Sequence, residues 1–131
     1  MGKRYLIDTN ILVYYFAKVF DAGQEQVVKE VMKHHFGISV ITEIEFLGFP
    51  GFKDDPIQFK NARHFLDQAY LYPLTPTIIT QTIEIKQHYK IKTPDAIIAS
   101  TALVHDLILV SRNTNDFIML PDLELLNPFT L

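Results

Sequence analysis

Short apolar stretches alternate along the whole chain with segments of helical periodicity, and few folds accommodate that order. Arg4 to Ile7, Gly37 to Ile41, Leu71 to Leu74 and Leu107 to Ser111 are short and rich in strand-forming residues, with Leu123 to Leu126 as a further edge strand. Between them, Asn10 to Lys18 carries Ile11, Leu12, Tyr15 and Phe16 at helical spacing. Gln24 to His35 sets Val27, Val28, Val31 and Met32 on one face. Thr42 to Leu47 predicts a short helix broken by the Gly and Pro of GFPGFKDDP. A helix opens at Pro56, with Ile57, Phe59, Ala62, Phe65, Leu66 and Ala69 on its apolar side, and another runs from Pro76 to Lys90. In KTPDAIIASTALVHD, a threonine cap, a proline and an acid start a helix from Thr93 to His105. Parallel strands need long crossovers and these helices supply them, so the pattern predicts a doubly wound parallel α/β sheet with right-handed connections.

With 131 residues the chain suits one domain with a hydrophobic core. Apolar residues are 48% and charged residues 21%, with no repeat or low-complexity run, which argues against a disordered chain. The absence of cysteine excludes disulfides, thiolate zinc sites and cysteine nucleophiles. MGKRYLIDTN has too short an apolar stretch, ended by an aspartate, for a signal peptide, and no run approaches the roughly 18 apolar residues of a membrane span. A soluble protein is therefore expected. The formal net charge of -3 lacks the basic footprint of a nucleic-acid binder. Setting four acids around a cation, however, leaves 11 acidic against 12 basic residues to line an approach to it.

Open α/β sheets bind ligands outside the carboxyl ends of their strands, which singles out a few of the 15 acidic residues. Asp8 follows the first strand, and Glu43 and Glu45 follow the second. Asp95 opens the helix before the LILVS strand, and Asp116 lies five residues beyond it. Each has a purely local explanation. Asp8 suits a helix cap. Thr42 to Glu45 spells a capping box. Asp95 suits a first helical turn and Asp116 a turn. The functional reading rests on convergence, because clustered carboxylates repel and persist only when protons or a cation neutralise them. All-oxygen donors select a hard ion such as Mg²⁺ or Mn²⁺, which suits phosphoryl chemistry. Glu43 and Glu45, two apart on one helix, cannot both face such a site.

Four segments, IDTNILVYYF, SVITEIEF, TPDAIIAST and LVSRNTNDF, stand in an order and at intervals that resemble the PIN-domain ribonucleases, most closely the single-domain toxins of the VapC type. The resemblance spans essentially the whole chain and implies one PIN domain over residues 1–131. Its fold would be a Rossmann-like three-layer α/β/α sandwich with a mainly parallel sheet of four to five strands. It further implies an Mg²⁺- or Mn²⁺-dependent endoribonuclease whose catalytic and metal-binding residues are Asp8, Glu45, Asp95 and Asp116. Asn10 and Ser111 match polar positions that orient Asp8 or a bound water, and Asn113 stands where many members outside the toxin branch carry an acid. One bound ion or two stays open. A cognate antitoxin, a homodimer and a cytoplasmic, membrane-free setting belong to the same implication.

Lys86, Lys90, Lys92 and Arg112 neighbour Asp95 or Asp116 in sequence and are candidates for RNA phosphate contacts, against a reading as solvated helix edge. The five histidines lack ligand-like spacing and read as surface or partly packed residues. Tyr14, Tyr15 and Phe16 read as core. FLGFPGF, Phe46 to Phe52, either packs on the core or forms a patch for a partner. Four alternatives stand beside the toxin. A non-toxin PIN nuclease would process RNA, and a PIN domain without activity would only bind. A phosphatase of the haloacid dehalogenase type would need D-x-D-x-T, where this chain has Asn10 and Leu12. A phosphoacceptor receiver domain would need an acidic pair and a lysine that are not evident.

Overall fold

The computed structural model describes residues 2–130. Five strands form one sheet: β1 (Arg4–Ile7), β2 (His35–Ser39), β3 (Tyr70–Tyr72), β4 (Ile108–Val110) and β5 (Leu125–Leu126). Their order is β3-β2-β1-β4-β5, and every pairing is parallel. Six helices connect them: α1 (Thr9–Phe16), α2 (Ala22–Lys33), α3 (Val40–Leu47), α4 (Pro56–Leu66), α5 (Pro76–His88) and α6 (Thr93–His105). A central parallel strand is covered on both faces, which is why β1 beyond Arg4 and all of β4 read as apolar runs.

The pleat divides the interior in two. Leu6 and Leu109 point to one side, where Ile85 of α5 and Ile98, Ala99 and Ala102 of α6 close over them with Phe117. Tyr5, Ile7, Ile38 and Val110 point to the other, against Ile11 and Leu12 of α1, Val28 and Val31 of α2, Phe46 of α3 and Ala62 of α4. This is the expected three-layer sandwich. Tyr14, Tyr15 and Phe16 are half-buried, and Tyr15 stacks on Phe65 at 5.7 Å. Among the described residues, no helix is long and apolar enough to cross a membrane.

Several boundaries differ from the sequence expectation, each for a local reason. The second strand ends at Ser39 rather than Ile41, because the Ser39 hydroxyl accepts from Ile41 N at 3.1 Å and starts α3 at Val40. Thr42 is therefore inside the helix, so the Thr42 to Glu45 capping box does not form. Lys92, not Thr93, holds the cap position of α6, with Pro94 in its first turn. α1 stops at Phe16, and Lys18 takes a left-handed φ of 59° just beyond it. α5 stops at His88. The third strand is Tyr70–Tyr72, and Tyr72 lies so close over Gly37 that a Cβ there would fall 2.3 Å from its ring. Only glycine admits that approach.

Candidate active site

The β1 chain leaves the sheet at Asp8, whose backbone N–H donates to Val110 O at 2.9 Å and extends the ladder to β4 by one residue. Its side chain is 5% exposed. Oδ1 accepts from Thr9 N at 2.8 Å and Oδ2 from the Ser111 hydroxyl at 2.8 Å. An ordinary cap accepts from the second or third helical N–H, so this carboxylate is turned away from plain capping. Ser111 is fully buried, and its Oγ accepts from Asn113 N at 3.0 Å. That contact leaves the Ser111 proton for Asp8 and fixes its direction.

The helix α3 separates the two competing glutamates. Glu43 turns to α4, where Arg63 Nη1 meets its Oε2 at 3.0 Å. Glu45 turns to α1, and its Oε1 accepts from the Thr9 hydroxyl at 2.7 Å. Asp95 is half-buried in the first turn of α6, and Asp116 ends a 3₁₀ turn, Thr114–Asp116, beyond β4. All four acids thus arrive at the carboxyl edge of the sheet.

They act on one another. Burial raises the Asp8 carboxyl above its ordinary range, and the charges of Glu45 and Asp116 push the same way, against the lowering effect of the Ser111 and Thr9 hydrogen bonds. Burial likewise raises Asp95, followed by the charges of Asp8, Asp116 and Glu45, with Lys92 opposing. Such a cluster is at odds with itself in the absence of a counter-charge. As the side chains stand, no three His, Asp or Glu among the described residues are already gathered to hold one ion. The donor set nonetheless fits a hard cation. It is all oxygen, two members are raised by desolvation and mutual charge, and ions of the Mg²⁺ kind take few carboxylates and keep several waters.

Next to the acids lies a cleft of about 480 Å³ lined by Lys86, Lys90, Ile91, Lys92, Asp95, Asp116 and Met119. Lys86 is partly committed, since its Nζ donates to Ile91 O at 2.8 Å and ties the end of α5 to the following linker. Arg112 does not line this cleft. Its guanidinium lies over the rings of Phe129 and Tyr14, at 4.3 and 5.3 Å. Asn10 is half-buried in α1, and the Asn113 side chain is exposed; neither makes a side-chain hydrogen bond among the described residues. The residue that touches both Asp8 and Glu45 is Thr9, which the sequence reading passed over. Its signal was its place between Asp8 and Asn10. Nothing local pairs it with a residue 36 positions away.

Beside Glu45, Val13, Phe16, Ala17, Phe46, Phe49 and Phe52 line an apolar groove of about 250 Å³. Phe46 is buried, whereas Phe49 is 60% exposed. The FLGFPGF segment therefore both packs on the core and leaves a patch.

Solved structures share this architecture. A chain of a toxin-antitoxin complex from Klebsiella pneumoniae is 32% identical, with a TM-score of 0.78 over 95% of this chain and 97% of that one. A chain of VapBC2 from Rickettsia felis, bound to a DNA fragment from its promoter, is 24% identical, with a TM-score of 0.78 over 95% and 98%. A chain of FitAcB from Neisseria gonorrhoeae is 20% identical, with a TM-score of 0.78 over 97% and 99%. The last two likenesses are of fold alone. Among curated proteins there is no significant match. The PIN domain family model matches residues 5–121, a span that runs from the strand before Asp8 to beyond Asp116. The parallel sheet that carries those acids is thus a shared scaffold, and the chain belongs to the PIN domain family, whose members are nucleases.

Proposed function

We propose that the protein is a divalent-cation-dependent endoribonuclease and the toxin of a toxin-antitoxin pair, with residues 1–131 acting as a single PIN domain in the cytoplasm. One observation carries the reading. Asp8 is buried with both oxygens oriented, and burial first, then the charges of Glu45 and Asp116, raise it; burial first, then the charges of Asp8, Asp116 and Glu45, raise Asp95. Perturbed carboxyls gathered at a sheet edge mark chemistry more often than structure.

Asp8 and Asp95 would hold Mg²⁺ or Mn²⁺, with Glu45 and Asp116 bound directly or through water. Bound there, the ion would supply Lewis acidity to activate water and to offset charge on the scissile phosphate. Ser111 and the Thr9 N–H keep the Asp8 oxygens from rotating. Lys90 and Lys92 line the adjoining cleft and would seat the RNA backbone, with Lys86 limited by its bond to Ile91. Arg112, stacked on Phe129 and Tyr14, is a more distant candidate for the same work. In-line attack of water breaks the bond from phosphorus to the 3′ oxygen and leaves 5′-phosphate and 3′-hydroxyl ends. The apolar groove beside Glu45 is suited to an antitoxin segment, as the relation to the Klebsiella chain suggests, and a homodimer is the assembly the family resemblance implies.

Mg²⁺ or Mn²⁺ titrated into purified protein with a mixed RNA pool should give cleavage, and Asp8→Asn should remove it. Cleavage that survives the substitution rejects this mechanism. Expression of the chain by itself should arrest growth, and co-expression with its neighbouring gene should relieve the arrest. Growth without arrest would assign the protein to RNA processing instead.

A further inference from the structure

The structure assigns Thr9 and Thr42 to a hydroxyl chain that positions Glu45 within the acidic cluster, an inference that rests on the cation-binding reading above. Thr42 is fully buried in α3. A buried threonine within a helix can turn its hydroxyl to the carbonyl four residues back, as Thr82 and Thr101 do, both at 2.7 Å. Thr42 stands third in α3, where the residue four back, Ile38, belongs to β2, and it makes no such bond among the described residues. Its Oγ1 lies 3.1 Å from Thr9 Oγ1 across the gap between α3 and α1.

Thr9 has one hydroxyl proton and two neighbours for it. The carboxylate at 2.7 Å is the stronger acceptor, because hydrogen bonds to an ionised group are shorter and stronger than neutral ones. Thr9 therefore donates to Glu45 Oε1, and the Thr42 proton is left to donate to Thr9. The chain runs one way: Thr42 to Thr9 to Glu45. Its middle member also donates its backbone N–H to Asp8 Oδ1, so a single residue sets the spacing between two acids of the cluster.

Glu45 has reason to need such support. It is exposed, and its long side chain loses rotamer freedom when held in one place. Asp8 is clamped by burial and two donors, but among the described residues Glu45 has only the Thr9 hydroxyl. Thr9 and Thr42 are positioning residues, acting on the site through the carboxylate they hold.

The test is Mn²⁺ binding to the RNA-free protein by calorimetry, with melting temperature measured alongside. Thr9→Val keeps the branched shape and removes the donor; it should weaken binding about tenfold, the lower end of what loss of an outer hydrogen bond costs a metal site. Thr9→Ser restores the hydroxyl and should bind within about twofold of wild type, and Thr42→Val should weaken binding about threefold. A crystal structure of the Thr9→Val protein should show the Glu45 carboxylate displaced.

Wild-type affinity in Thr9→Val, or a Thr9→Ser protein as weak as Thr9→Val, overturns the inference and leaves the threonine a packing residue. The ribonuclease reading fails separately. A protein that binds Mn²⁺ in a Thr9-dependent way but cuts no RNA rejects the activity and keeps the chain, whereas a wild type that takes up no Mn²⁺ rejects both.

Discussion

The two ends of the same sheet treat polar groups in opposite ways. At the amino end, Arg4 Nη2 donates to the Tyr72 hydroxyl at 3.1 Å, and His35 Nε2 meets that hydroxyl at 2.8 Å. The rings of Tyr70 and His105 pack against Tyr72 at 4.6 and 4.7 Å. Arg4 and His35 share a partner there and no acids are forced together, although His105 Nε2 is buried without a partner among the described residues. At the carboxyl end, Asp8, Glu45, Asp95 and Asp116 lie in one another's fields, and burial, with those charges adding to it, raises Asp8 and Asp95. A stable fold is served by the first arrangement. The second weakens the protein unless protons or a cation neutralise it, which is why the proposed site is put at that edge.

Asp95→Asn separates the ends most sharply. RNA cleavage should fall by about a hundredfold, the scale on which loss of one preorganised electrostatic group is felt. The metal-free variant should nevertheless melt higher than wild type at neutral pH. The Asp95 carboxyl is raised above its ordinary value of 3.8, so its contribution to stability is present in full below that value and lost as pH rises through the folded-state value. Asparagine, neutral throughout, removes the loss. Melting curves that coincide at neutral pH, or a gain that persists undiminished in acid, would contradict the assignment of Asp95 to a frustrated cluster.

Ser111→Ala should act at the same edge with a smaller effect on activity. It strips one donor from Asp8 and leaves the Asn113 N–H without its acceptor. Metal affinity should drop about tenfold. Denaturant melts should show a stability loss of about 1–3 kcal/mol for the broken buried bonds. Tyr72→Phe is the counterpart at the amino end. It should cost about 1 kcal/mol in the same melts and leave cleavage unchanged. An activity loss there would show that the two ends are coupled and that their comparison misleads.

The layers and the acidic edge are legible in the sequence, whereas the contacts of Arg4 and His35 with Tyr72 are not. β-branched runs between amphipathic helices reveal the layers, because side-chain period reports which face is buried. Helix starts were legible where proline and a cap coincide, as at Pro56 and Pro76. They were misread where two hydroxyls compete for one start. Ser39 and Thr42 both suit a cap, and Ser39 wins because it is the residue at which β2 ends. The choice between Glu43 and Glu45 followed from helical geometry and resemblance, yet what holds each of them, Arg63 and Thr9, is sequence-remote. Lys86 and Arg112 were grouped with the other cations because chain neighbours look alike in a sequence. In space, one ties down a backbone carbonyl and the other stacks on aromatic rings.

The sequence by itself determined which residues form strands and helices, and that an acid follows or faces the end of each strand that matters. Those are properties of short windows, governed by periodicity and local capping. The tertiary structure decided how the acids are held. The bonds that do so join Thr9 to Glu45 across 36 residues and Ser111 to Asp8 across 103, and it is packing of the sheet and helices that closes such distances.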